Sequence, residues 1–152
     1  MPAEIGQTAP DFSLANQDNN KVSPSDLRGQ KTVLVFIPFP FSSICSDELC
    51  AIRDDYSALS GLDAKVVVIT PGHRVTLAAW KQHYNLPFDI LSDFWPHGVV
   101  AQAYGCFNDQ LGVPFRWSFV LDKDGVIKDI IKSEAIPQPR EHAAYQRALA
   151  AA

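Results

Sequence analysis

Two runs of residues constrain this chain more than any others. Thr32-Val33-Leu34-Val35-Phe36-Ile37 and Ala64-Lys65-Val66-Val67-Val68-Ile69-Thr70 are nearly unbroken apolar stretches dominated by β-branched side chains. A strand with one wet face alternates apolar and polar residues. A run without that alternation must be covered on both faces. Pro38 ends the first run and Pro71-Gly72 breaks the second. Each break leads into residues with helical periodicity. The first such helix is predicted from Ser43 to Leu59, with Leu49, Ile52, Tyr56 and Leu59 as its apolar stripe. Asp47 and Glu48 are read into its first turn, where acids suit the helix dipole. The second is predicted from Val75 to Tyr84.

The remaining segments fit around this repeat. Residues up to Leu14 read as extended, Asn16 to Asn20 as a polar turn, and Ser25 to Gly29 as one helical turn closed by glycine. A short strand is predicted at Phe88 to Leu91 and a helix at Gly98 to Tyr104. Trp117 to Asp122 and Val126 to Ile131 form a predicted hairpin around Lys123-Asp124-Gly125. A last helix is predicted from Arg140 to Ala151. Strand, helix, strand, helix, then an antiparallel hairpin and a helix make an α/β domain, a central mixed sheet flanked by helices. This is the thioredoxin-like arrangement, and 152 residues suffice for one such domain over 1–152.

Composition narrows the function. A charged fraction of 20% with 47% apolar residues excludes wholesale disorder. The net charge is −4 and no Lys/Arg cluster occurs, which argues against nucleic acid as a partner. No segment is long and apolar enough to cross a membrane. Met1 to Pro10 lacks the pattern of a secretory signal, so a cytoplasmic location is expected. Cys45, Cys50 and Cys106 are too few, and odd in number, for a disulfide framework. Together with His73, His83, His97 and His142 they show no metal-binding spacing, and these histidines read as surface or packing residues.

Cys45 has the most informative position. It follows a buried strand and a proline-rich loop, at the first turn of a helix. Backbone N–H groups there lack intrahelical partners, and the dipole adds positive potential. Both favour thiolate over thiol, and the thiolate is the nucleophile. Free cysteines are also often small buried hydrophobes, and position alone leaves both readings open.

The local motif decides between them. Pro38-Phe39-Pro40-Phe41-Ser42-Ser43-Ile44-Cys45 matches P-x-x-x-[TS]-x-x-C, which resembles the active-site signature of the peroxiredoxins. Ala9-Pro10-Asp11-Phe12, Cys45-Ser46-Asp47-Glu48, Leu91 to Gly98, Tyr104 to Asn108 and Arg116 to Asp122 resemble further elements of that family, most closely its alkyl hydroperoxide reductase E (AhpE) group. The resemblance covers nearly the whole chain. It implies a thiol peroxidase in which Cys45 attacks hydrogen peroxide, organic hydroperoxides or peroxynitrite. It implies that Arg116 is the fixed cation beside Cys45, that Ser42 hydrogen-bonds peroxide and thiolate, that Pro38 shields the sulfur from water, and that Glu48 orients Arg116. No metal, haem or flavin is implied. Thioredoxin, mycoredoxin or a similar small redox protein is the implied reductant, and a homodimer is left open, with Phe94, Trp95 and His97 in a stretch that lines either the site or a subunit contact.

The product of attack is a sulfenic acid that must be reduced. Cys50 gives C-x-x-x-x-C, which resembles the peroxiredoxin Q group and departs from the one-cysteine AhpE pattern. Five residues of helix give about 7.5 Å of rise and about 140° of rotation, hence Cα atoms roughly 8.6 Å apart. A Cys45–Cys50 disulfide therefore requires the helix to unwind. Cys50 as resolving cysteine, Cys106 in that role, and an external thiol acting on a one-cysteine enzyme all remain open. A thiol–disulfide oxidoreductase is disfavoured by the absence of C-x-x-C. A non-enzymatic redox sensor or holdase, oxidised once at Cys45, is the rival from another class.

Overall fold

A computed structural model describes residues 3–62, 64–133 and 135–152. A small hairpin opens the chain, β1 (Leu14–Ala15) and β2 (Lys21–Val22), followed by the single turn α1 (Pro24–Leu27). Then come β3 (Lys31–Phe36), α2 (Ser43–Asp54), α3 (Tyr56–Ser60), β4 (Ala64–Thr70), α4 (Arg74–Tyr84), β5 (Asp89–Ser92) and α5 (Val99–Ala103). A second small hairpin, β6 (Phe107–Asn108) with β7 (Val113–Pro114), precedes β8 (Trp117–Leu121), β9 (Ile127–Lys132) and α6 (Ala143–Ala151).

The central sheet has the order β5-β4-β3-β8-β9. β3, β4 and β5 are parallel, while β8 runs antiparallel to both β3 and β9. Both faces are covered, as the apolar runs require. Val33, Val35, Ile37, Val66 and Val68 pack with Leu49, Ile52, Leu77, Trp80 and Leu149 on one face. Leu34, Phe36, Val67, Ile69 and Phe119 pack with Phe12, Leu27, Tyr104 and Cys106 on the other. This is the mixed α/β sheet of a thioredoxin-like fold.

Three sequence expectations need correction, and one hairpin was not expected. The helix predicted to reach Leu59 breaks at Asp55, whose φ of −102° and ψ of 6° leave the helical region. Asp55 keeps its backbone bond to the Ala51 carbonyl at 3.2 Å, and its side chain accepts from Gln146 Nε2 at 2.7 Å and meets His142 Nε2 at 3.2 Å. Asp47 and Glu48 lie in the second turn of α2, not the first, because the helix starts at Ser43. The β6–β7 hairpin is too short to show a strand period. The final helix starts at Ala143, not Arg140. Ala135 to Gln138 form a turn closed by the Gln138 N–H on the Ala135 carbonyl at 3.0 Å, and Arg140 is diverted into the core.

Candidate active site

The end of β3 delivers the loop from Pro38, itself buried, to Phe41 and Ser42. Ser42 is the N-cap of α2, with extended φ and ψ of −67° and 148°. Its Oγ accepts the Cys45 N–H at 3.3 Å, and its carbonyl accepts the Ser46 N–H at 2.8 Å. Ser42 thus serves the backbone beside the sulfur, and its hydroxyl proton stays available. Cys45 is the third residue of α2 and is fully buried.

Sheet topology brings the cation. β8 is antiparallel to β3, with Ser118 opposite Val35, so the entrance to β8 lies beside the exit of β3. Arg116, one residue ahead of β8, is buried and places Nη1 3.0 Å from Cys45 Sγ. The same nitrogen donates to Glu48 Oε1 at 2.8 Å. Glu48 follows Cys45 by three residues and therefore shares its helix face. Arg116 Nε donates to the Ile136 carbonyl. Among the described residues Nη2 has no hydrogen-bond partner, which leaves two guanidinium donors for another ligand.

Arg140, which no sequence motif singled out, completes the cluster. Its side chain is fully enclosed. It holds both carboxylate oxygens of Glu48, through Nη2 to Oε1 at 2.8 Å and through Nε to Oε2 at 2.8 Å, while its backbone N–H reaches Oε2 at 2.9 Å. Nη1 donates to the Phe36 carbonyl at 2.6 Å and the Trp117 carbonyl at 3.0 Å, and meets Ser118 Oγ at 3.3 Å. Ser118 Oγ in turn bonds the Tyr145 hydroxyl of α6 at 2.9 Å. Burial pushes the Glu48 carboxyl upward. The hydrogen bonds and charge of Arg140, with the charge of Arg116, outweigh burial and hold Glu48 below the usual carboxylate range. Glu48 is therefore the shared anion of two buried guanidiniums, rather than a dipole partner at a helix start.

The other two cysteines have different settings. Cys50 is half-buried further along α2, and all three thiols are free. Cys106 is fully buried in the cluster on the opposite face of the sheet from Cys45. Burial, reinforced by the nearby charge of Asp93, pushes its thiol far above its ordinary value. The sheet itself lies between Cys106 and Cys45. Of the aromatic stretch after β5, Trp95 is 82% exposed, Phe94 stacks edge-on against His73, and His97 bonds the Gly112 carbonyl at 2.6 Å. None of the three has a contact with the Cys45 cluster among these interactions. No group of metal-ligating side chains occurs among the described residues.

Fold and site define a class: a thioredoxin-like domain built around one helix-start thiol in contact with a buried arginine, without a second cysteine at C-x-x-C spacing. Residues 5–130 match the AhpC/TSA family, and the chain belongs to it, as a peroxiredoxin of the AhpE and bacterioferritin comigratory protein type. It is a thiol peroxidase. Its relatives include alkyl hydroperoxide reductase E of Mycobacterium tuberculosis, 42% identical over 82% of each chain. They also include the putative peroxiredoxin bcp of Coxiella burnetii, 35% identical over 86% of this chain and 89% of the relative. The crystal structure of peroxidoxin BcpB from M. tuberculosis superposes with a TM-score of 0.84 at 29% identity, covering 97% of this chain and 95% of that one.

Proposed function

We propose that Cys45 is the peroxidatic thiol, that hydrogen peroxide, organic hydroperoxides and peroxynitrite are its substrates, and that Cys50 resolves it as an intramolecular disulfide. The observation that carries this reading is the 3.0 Å contact between Arg116 Nη1 and Cys45 Sγ at the first turn of α2. A fixed guanidinium and a helix N-terminus both stabilise a thiolate. The thiolate attacks one peroxide oxygen, the O–O bond breaks, and Cys45 becomes a sulfenic acid; hydroxide or alkoxide leaves and takes up a proton, or nitrite leaves when the substrate is peroxynitrite. Charge grows on the leaving oxygen. Arg116 Nη2 and the Ser42 hydroxyl are donors placed to meet it, which lowers the barrier in the manner of an oxyanion hole. Pro38 keeps bulk water from the sulfur. Glu48 and Arg140 are positioning residues that fix Arg116 and the helix face.

Cys50 then attacks the sulfenic sulfur, giving a disulfide and water. Thioredoxin, mycoredoxin or a similar small redox protein reduces it. The test is intact mass and thiol count after one equivalent of hydrogen peroxide, on wild type and Cys50→Ser. Loss of two mass units and two thiols in wild type, with a sulfenic acid trapped in the variant, is the expected result. A sulfenic acid in both proteins makes this a one-cysteine enzyme dependent on an external thiol. Cys45→Ser loses turnover altogether, and retained turnover in that variant refutes the assignment of Cys45. Absence of turnover in wild type with each reductant supplied favours the sensor reading.

A further inference from the structure

Phe41, four residues before the thiol, stands in a backbone conformation that its side chain disfavours. Its φ is 64°. Among the described residues only Asn19 and Asn85 share a positive φ without being glycine, and asparagine tolerates the left-handed region through its short polar side chain. A bulky aromatic residue there is an outlier that its surroundings must enforce. Phe41 is also 45% exposed, so core filling does not account for the ring.

The enforcing contacts come from α4. The Phe41 ring lies 6.1 Å from the Trp80 ring at 37° and 6.1 Å from the His83 ring at 50°. Both partners are themselves held. Trp80 is fully buried and its Nε1 donates to Ser46 Oγ at 3.2 Å, while His83 meets Tyr84 edge-on at 4.7 Å. Just before the turn, Pro40 seats against Gly72, where a Cβ on Gly72 would come within 3.1 Å of Pro40 Cγ. The chain reverses between these two fixed points. The left-handed residue is followed at once by extended Ser42, whose Oγ accepts the Cys45 N–H at 3.3 Å. We infer, on the proposed reading of Ser42 as a donor to the leaving oxygen, that Phe41 is a positioning residue for peroxide attack: its ring, clasped by Trp80 and His83, holds the left-handed turn that sets the Ser42 hydroxyl beside Cys45. Without the clasp, a residue bearing a β-carbon relaxes to negative φ and the chain entering α2 is re-routed. The hydroxyl then leaves its place, while Cys45 on α2 and Arg116 ahead of β8 keep theirs. A reacting group displaced by about 1 Å costs up to about 10²-fold in rate.

The test is a double-mutant cycle on the first turnover with hydrogen peroxide, read by stopped flow, for Phe41→Ala and Ser42→Ala singly and together. Phe41→Tyr and Phe41→Asn are measured beside them. Phe41→Ala is expected to slow attack by about tenfold or more. Adding Ser42→Ala to it is expected to slow attack by no more than about a further twofold, because the hydroxyl is already out of place. Phe41→Tyr keeps the ring and is expected to keep the rate. Phe41→Asn loses the ring as alanine does but accepts the positive φ, and is expected to react at least about threefold faster than Phe41→Ala. Losses that multiply in the double variant, or equal rates for Phe41→Ala and Phe41→Asn, overturn the inference and leave Ser42 its donor role. No loss on Ser42→Ala in the otherwise wild-type chain ends the donor reading of Ser42, and the role of Phe41 ends with it. If Phe41→Ala fails to fold, Phe41→Leu, which keeps apolar bulk without an aromatic ring, takes its place in the same cycle.

Discussion

Arg116 divides one nitrogen between the Cys45 sulfur and the Glu48 carboxylate, and this sharing defines what substitution can preserve. Nη1 reaches both Cys45 Sγ and Glu48 Oε1 while Nε is anchored to the Ile136 carbonyl. A lysine ammonium is a point charge without the planar fork. Arg116→Lys is expected to lower kcat/KM for hydrogen peroxide by about 10²–10³, the loss associated with removing an oriented donor from a developing oxyanion. Stopped-flow measurement of the first turnover checks it, and a loss under about threefold speaks against a donor role for Nη2. Ser42 has two tasks that a pair of variants separates. Ser42→Ala removes the cap on the Cys45 N–H, costing about 1 kcal/mol of stability, and also removes the hydroxyl donor. Ser42→Thr retains both functions and restrains the rotamer. The alanine variant is expected to fall in both Tm and peroxide rate, and threonine to leave Tm unchanged and the rate within about twofold of wild type. Equal rates for alanine and serine would confine Ser42 to capping.

At the scale of elements, α2 carries Cys45 and packs as a structural member, and its Glu48 gives it a pH signature. The Glu48 carboxyl lies below its ordinary value in the folded state. A depressed carboxyl contributes stability that is fully present above the unfolded value and is lost as pH falls through the folded one. Glu48→Gln removes that contribution and leaves two enclosed guanidiniums without their anion, a change of about 3–5 kcal/mol. The Tm difference between wild type and Glu48→Gln is expected to be largest near neutral pH and to shrink as pH falls below about 4. A gap independent of pH would show that packing, not charge, holds α2 to Arg140. Legibility followed the same division. β3, β4 and the β8–β9 hairpin are readable because unbroken apolar runs and a glycine turn are local signals. Cys45, Ser42 and Arg116 are readable from a local motif and a matched strand. Arg140 is not, because what makes it part of the site is a bend after two prolines and a partner 92 residues away in sequence. Asp93 is a second case. It caps α5 from outside the helix, its carboxylate accepting the Val100 and Ala101 N–H groups at 3.0–3.2 Å.

For the whole molecule, the sheet acts as a partition between two chemistries of the same side chain. Cys45 and Cys106 are both fully buried, yet they belong to different cores. On the α2 side, the thiol meets a guanidinium and a helix start. On the α5 side, Cys106 sits under Tyr104 and Val100 with Asp93 as its nearby charge, and its thiol is pushed far from ionisation. The two settings differ by face of the sheet rather than by burial. Cys106 has no exposed surface, and the sheet separates it from the Cys45 core. With a slow alkylating reagent under native conditions, Cys106 is expected to react at a rate that tracks global unfolding. Its labelling should rise with denaturant along the same slope as the far-UV signal. Cys45 should be labelled far faster, and one equivalent of peroxide should protect it. Cys106→Ala is expected to cost about 1–2 kcal/mol through the small cavity it leaves while peroxide turnover stays at the wild-type value. Peptide-resolved mass spectrometry separates the three thiols. Rapid labelling of Cys106 in the folded enzyme, or its protection by peroxide in parallel with Cys45, would mean that the two faces communicate and that Cys106 belongs to the redox cycle after all.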